Sequence, residues 1–192
     1  KHKEQMSAAQ YKSDSKALTQ KTKRYEELER LTQSVYEDKV TGKIPEEICL
    51  KELITSLIEQ HQLKADKPVH IELDIQPETL VIVADRTHFS NIISNLIDNA
   101  VKYSKEEAEL SISCRQTGGT VTVSVTDRGI GIPLDKQKHI FDKFYRVPTG
   151  NLHNIKGYGL GLFYVKSMVE KHGGTITVKS EPDKGSTFTI TL

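Results

Sequence analysis

Asn95-Leu-Ile-Asp-Asn99-Ala-Val-Lys102-Tyr103 sets two amides, an ammonium and a phenol into an otherwise apolar segment. Asn95 and Asn99 lie four residues apart, and Lys102 and Tyr103 follow Asn99 by three and four. In a helix all four side chains therefore share one stripe. Leu96, Ala100 and Val101 form an apolar side that can dock on a sheet. Asparagine disfavours helix interiors because its amide competes for backbone hydrogen bonds, so two in register need a reason. Neutral amide oxygens facing a pocket suit a hard cation such as Mg2+, which keeps several waters and takes few protein ligands. Lys102 beside them suits phosphate oxygens as a point charge.

Three glycine-bearing segments follow. Val123-Ser-Val-Thr-Asp127-Arg-Gly129-Ile-Gly131-Ile-Pro133 reads as an alternating strand ending in a carboxylate and a tight turn. A buried aspartate there can accept a hydrogen bond from an exocyclic amine, and glycines let backbone approach a flat ring. The same Asp-x-Gly pattern also starts ordinary turns. Gly157-Tyr-Gly159-Leu160-Gly161-Leu-Phe-Tyr-Val runs from a loop into an amphipathic helix that ends near His172-Gly173-Gly174. Free N–H groups and the helix dipole at such a start favour phosphate. His172 reads as a cation at that helix's C-terminus. Gly185-Ser-Thr187 is a turn feeding a closing strand. A dinucleotide fold needs a strand directly before its glycine loop, whereas Arg146 to Lys156 is polar and loop-like, and no Gly-Lys-Ser/Thr loop occurs.

The order of these segments resembles the ATP-binding catalytic domain of bacterial two-component sensor histidine kinases, over roughly Leu50 to Leu192. Asn95–Tyr103 is similar to the family's asparagine box, Asp127–Gly131 to its first glycine box, and Phe141-Asp-Lys-Phe144-Tyr145-Arg146 to its phenylalanine box. Gly157–Gly161 resembles the second glycine box and Gly185-Ser-Thr187 the last. The resemblance implies ATP and Mg2+ as cofactors. It implies that Asn99 binds the metal with Asn95 alongside, that Lys102 and Arg146 contact phosphate, and that Tyr103 packs near the nucleotide. Asp127 would recognise the adenine amine, and Val147 to Tyr158 would form a mobile lid. Gly129, Gly131, Tyr145, Gly157, Gly159, Leu160, Gly161 and Thr187 complete the implied binding set. Asn95, Lys102 and Arg146 would serve the transfer itself. Hydrolases of the same superfamily (gyrase, mismatch-repair and chaperone ATPases) carry a water-activating glutamate where this chain has Asn95, an amide that cannot act as a general base.

Composition fits one domain plus an extension. With 27 basic against 26 acidic residues, the net charge of +1 argues against nucleic acid or an anionic membrane as main partner. Two cysteines, Cys49 and Cys114, imply no disulfide framework. No run of 18 apolar residues and no signal peptide appear. The resemblance therefore implies a cytoplasmic piece, cut from a longer protein that is anchored in the inner membrane. Residues 1–42 read as a polar helical segment, part of a dimerisation and phosphoacceptor hairpin, and residues 43–192 as the catalytic domain. The patterning predicts helices over Leu50–Leu63, Thr87–Tyr103 (started by Asp85) and Leu160–Lys171, with a short helix near Lys136–Phe141. Strands are predicted over Val69–Ile75, Leu80–Ala84, Glu109–Arg115, Thr120–Thr126, Thr175–Ser180 and Ser186–Leu192. Six strands and three main helices make a two-layer α+β sandwich, a mixed sheet covered by helices on one face.

A histidine kinase needs an acceptor histidine followed by an acidic residue. His2, His61 and His153 are followed by Lys3, Gln62 and Asn154, so the acceptor is expected outside this chain. The implied partners are the dimerisation and phosphoacceptor domain of a homodimeric parent and the receiver domain of a response regulator. An ATP hydrolase of the same superfamily and a non-catalytic nucleotide-binding module remain as alternatives.

Overall fold

A computed structural model describes residues 45–147 and 158–192. The segment expected over residues 1–42, most of the expected lid, and Gly157 lie outside the described residues. Among the described residues there are seven strands, β1 (Glu46–Cys49), β2 (Val69–Gln76), β3 (Val81–Ala84), β4 (Ala108–Thr117), β5 (Thr120–Asp127), β6 (Thr175–Glu181) and β7 (Gly185–Thr191). Four helices accompany them: α1 (Leu50–Lys64), α2 (Arg86–Tyr103), α3 (Leu134–Gln137) and α4 (Gly161–Lys171).

The main sheet has five strands in the order β2-β4-β5-β7-β6. β2 runs parallel to β4, while the other pairs are antiparallel. A parallel pair needs a long crossover, which β3 and α2 supply here. Strand β5 alternates cleanly, with Val121, Val123, Val125 and Asp127 buried and Thr122, Ser124 and Thr126 half-exposed. On the second face hydroxyls pair across strands, Ser124 with Thr189 at 3.1 Å and Thr126 with Thr187 at 3.0 Å. One face thus meets the helices and the other meets water, which is the two-layer arrangement expected.

Two details depart from the sequence reading. β3 leaves the main sheet and pairs with β1 in a separate two-stranded ribbon, Glu46 opposite Ala84 through Cys49 opposite Val81. β1 has four residues, of which Ile48 alone is buried, so it carries no alternation to read. The short helix begins at Leu134 rather than Lys136 and ends at Gln137, with turns beyond.

The core lies between sheet and helices. α1 buries Leu50, Leu53, Ile54 and Leu57. α2 buries His88, Phe89, Ile92, Ile93, Leu96, Ile97 and Ala100. α4 adds Tyr164, Val165, Met168 and Val169. Asp85 caps α2, its carboxylate accepting the His88 N–H at 2.9 Å. At the other end the Lys67 ammonium donates to the carbonyls of Ser104 and Lys105 at 2.9 and 3.0 Å, and its desolvation lowers its pKa. No described helix is long and apolar enough to cross a membrane.

Cys114 sits fully buried on β4, and burial pushes its thiol up to about 12. A thiol without thiolate character or access does not react. Alkylation of the native chain should therefore leave Cys114 unmodified, whereas both thiols react in denaturant; peptide mass mapping reads the difference.

Candidate nucleotide-binding site

The amide stripe forms as expected, and α2 presents it beside the buried face. Asn95, Asn99, Lys102 and Tyr103 are all partly exposed on that helix. Asn95 is oriented from within: its Nδ2 donates to the Asn91 carbonyl at 2.8 Å. Its Oδ1 then faces the start of α4 so closely that a methyl on Gly161 would lie 2.8 Å away. Asn99 differs, because its Nδ2 is buried and makes no hydrogen bond among the described residues. The Lys102 ammonium stands 5.5 Å from the centre of the Tyr103 ring.

At the C-terminal end of α2 the helix meets the Asp127 turn. The Tyr103 carbonyl accepts the Ile130 N–H at 3.1 Å. A Cβ on Gly129 would sit 2.7 Å from that carbonyl oxygen and 2.8 Å from Asp127 Oδ1, so only glycine lets helix and turn close together. Asp127 itself is 7% exposed. Its carboxylate accepts the backbone N–H groups of Gly129, at 2.8 Å, and of Ser186. Burial raises its pKa, and those two donors pull it back down. The aspartate thus starts a turn and also places a carboxylate at the helix-facing end of β5. Gly131 continues the same turn, packed on the Glu181 carbonyl.

Thr187 does not join Asp127. Its hydroxyl pairs with Thr126 on the water-facing side of the sheet. The residue beside Asp127 is Ser186, opposite it in register and 7% exposed, with its hydroxyl 3.0 Å from that of Ser180. Strand alternation held the signal, since Ser186, Phe188 and Ile190 share the buried side and Thr187 cannot.

The second glycine segment packs on the aromatic one. Phe144 donates its N–H to the Gly159 carbonyl at 2.9 Å, and Gly159 lies against the backbone of Phe144 and Tyr145. Leu160 is 3% exposed, so its side chain belongs to the core and only its backbone can face a ligand. The aromatic residues are less buried than a core role would require. Phe141 packs edge-on against Phe188 and Tyr145 against His139, while Phe144 is 38% exposed at a φ of 66°. Ile140 fills the core instead. Arg146 is exposed.

Residues 84–192 match the model of the histidine kinase-, DNA gyrase B- and HSP90-like ATPase family. The chain belongs to that family. It is 45% identical over 149 residues to the sensor protein RprX of Bacteroides fragilis, a match covering 76% of this chain and 29% of RprX. It is 37% identical over 174 residues to the signal transduction histidine-protein kinase ArlS of Staphylococcus haemolyticus, covering 86% and 38%. The chain thus spans well under half the length of either relative. Among solved structures it resembles the mycobacterial sensor histidine kinase MprB, with a TM-score of 0.67 and 26% identity over 78% of this chain and 97% of that one. Full-length ShkA, solved in complex with AMPPNP, matches with a TM-score of 0.66 and 25% identity over 77% of this chain and 30% of that one.

An ATPase-family domain is an ATP-binding domain. Asp127 and the Gly129–Gly131 turn offer a carboxylate and close backbone, and the start of α4 lies beside Asn95. The described residues hold no cluster of three or more His, Cys, Asp or Glu that could bind a metal by itself. A cation here would need ligands from a phosphate and water. That fits Mg2+ and a neutral amide oxygen such as that of Asn99, while the buried Asn99 Nδ2, which has no hydrogen bond among the described residues, is a donor and cannot itself bind a cation.

Two outcomes follow from this geometry. Gly161→Ala places a methyl against the movable end of Asn95 while improving helix propensity. ATP affinity should fall about tenfold, the scale of one displaced hydrogen bond, with the melting temperature unchanged or raised; calorimetric titration and thermal melting check both. For Asp127 the folded pKa lies above the unfolded one, so the group's contribution to stability is full below the ordinary carboxylate range and shrinks as pH rises towards the raised value. Asp127→Asn should therefore lose ATP binding at pH 7 yet melt no lower than the wild type. Its relative advantage should vanish as pH falls to the ordinary carboxylate range, which melting curves across pH 3 to 7 would resolve as rough bounds.

Proposed function

We propose that the chain is the catalytic portion of a sensor histidine kinase and transfers the γ-phosphoryl group of ATP to a histidine outside this sequence. The observation that carries the reading is Asn95. Its nitrogen is engaged with the Asn91 carbonyl and its oxygen faces Gly161. Where hydrolases of the superfamily place a water-activating glutamate, this site has a neutral group that cannot take a proton. Without that base, attack by water is disfavoured and attack by an imidazole brought from elsewhere is not.

Residue roles follow from position. Asp127 accepts a hydrogen bond from the adenine amine, with Ser186 in place of Thr187 at its side. Tyr103 borders the base. Lys102 and Arg146 offset charge that develops on the transferred group, and the amides at the start of α4 cradle phosphate. Mg2+, held by Asn99 and water, would neutralise phosphate charge when bound. In the transfer, a nitrogen–phosphorus bond to the acceptor imidazole forms as the γ-phosphoryl bond to ADP oxygen breaks. The imidazole then loses its proton to solvent and ADP departs. A homodimeric, membrane-anchored parent and a receiver aspartate on a response regulator complete the proposed pathway.

Labelled γ-phosphate from Mg·ATP, offered with the upstream segment of the parent protein, tests this reading. Acid-labile, alkali-stable label on that segment is the expected result. Steady phosphate release without label would make the chain a hydrolase instead. ATP binding with neither would leave a nucleotide-binding module.

A further inference from the structure

α2 and α4 meet through one close approach at the amide stripe and, beyond it, through hydrogen bonds that no nucleotide group explains. The helices run antiparallel, and three rungs join them. At the first, Gly161 abuts the Asn95 amide. One turn further along α4, the Tyr164 hydroxyl lies 2.7 Å from His88 Nδ1 and accepts a longer bond, 3.4 Å, from Asn91 Nδ2. At the last, His172 Nε2 accepts the Asp85 N–H at 3.1 Å while its Nδ1 donates to the Met168 carbonyl at 2.7 Å. A backbone N–H can only donate, so Nε2 of His172 is the acceptor in this contact, a role the sequence did not suggest. Tyr164 and His88 are 7% and 6% exposed, and their rings are tilted at 47°.

Apolar ridges packed into grooves set the approximate register of a helix pair, but each dispersion contact is individually weak. Buried hydrogen bonds are not interchangeable, since a shift of even 1 Å orphans both partners. The middle rung is continuous with the site. Tyr164 engages the Asn91 side chain, and the Asn91 carbonyl holds the Asn95 amide that faces Gly161.

We propose that Tyr164 and His88 are positioning residues, whose buried hydrogen bond fixes the axial register of the α4 N-terminus against the amide stripe of α2. The inference rests on the nucleotide reading of the site. It concerns the phosphate-binding half alone, because Asp127 and Tyr103 lie at the opposite end of α2 from His88. Tyr164→Phe removes the hydroxyl and keeps the ring. ATP affinity should fall about five- to tenfold, the range of one lost buried hydrogen bond, while adenosine affinity stays unchanged.

Loss of the bond to His88 also lowers stability, so a second variant separates the two effects. Replacing both partners with apolar groups can restore stability. Tyr164→Phe with His88→Leu should therefore recover much of the wild-type melting temperature without recovering the ATP-over-adenosine preference. Titration of the full chain with ATP and with adenosine, beside thermal melts, reads all of this. Equal loss of both ligands, unchanged ATP affinity in Tyr164→Phe, or recovery of the preference together with stability would each overturn the positioning role. A wild-type chain that binds no ATP would overturn the nucleotide reading itself, and the positioning role with it.

Discussion

The site depends on one helix being held in two ways at once. α2 buries Phe89, Ile92, Ile93, Leu96 and Ile97 against the sheet and its neighbouring helices, each contributing about 1.5–3 kcal/mol before ordering entropy is counted. That burial sets the rotation of α2 about its axis. Asn95, Asn99, Lys102 and Tyr103 are then presented along the flank without any of them contributing much to the core. Rotation alone does not fix translation along the axis. The bond from the Asp85 N–H to His172 at one end, Lys67 at the other, and the Tyr164–His88 contact supply that second constraint.

The sheet imposes its own discipline on the adenine end of the site. Register pairs Leu110, Asp127, Ser186 and Ser180 across four strands, and the buried carboxylate accepts the backbone N–H groups of Gly129 and Ser186. Taking a carboxylate out of water is costly, and the raised pKa of Asp127 is the record of that cost. Partial compensation by two backbone N–H groups leaves acceptor capacity on the carboxylate. A fully satisfied aspartate would have none to offer a ligand.

Glycines sit where one element must touch another at backbone distance. Gly129 lets the Asp127 turn close on the end of α2, and Gly161 lets α4 close on Asn95. These two contacts bring the strand turn and the glycine-rich helix start against the same helix, although the motifs lie far apart in sequence.

Much of this could be read before any coordinates. The helical stripe is legible because spacings of three and four residues fix a face whatever the helix packs on. Clean alternation in β5 announces a strand with one wet side, and the order of amide, aspartate and glycine motifs identifies the family. Other features depend on partners distant in sequence. β1 has one buried residue and becomes a strand only because β3 lies beside it. Thr187 looks as suitable as Ser186 until register assigns them to opposite faces of β7. His172 reads as a terminal cation until the Asp85 N–H, 87 positions away in the chain, makes its Nε2 an acceptor. The sequence by itself determined which chemistry is available and on which local face it lies, because those follow from short-range periodicity. Tertiary structure decided which of those groups meet, because strand pairing and helix register are set by contacts that local spacing cannot encode.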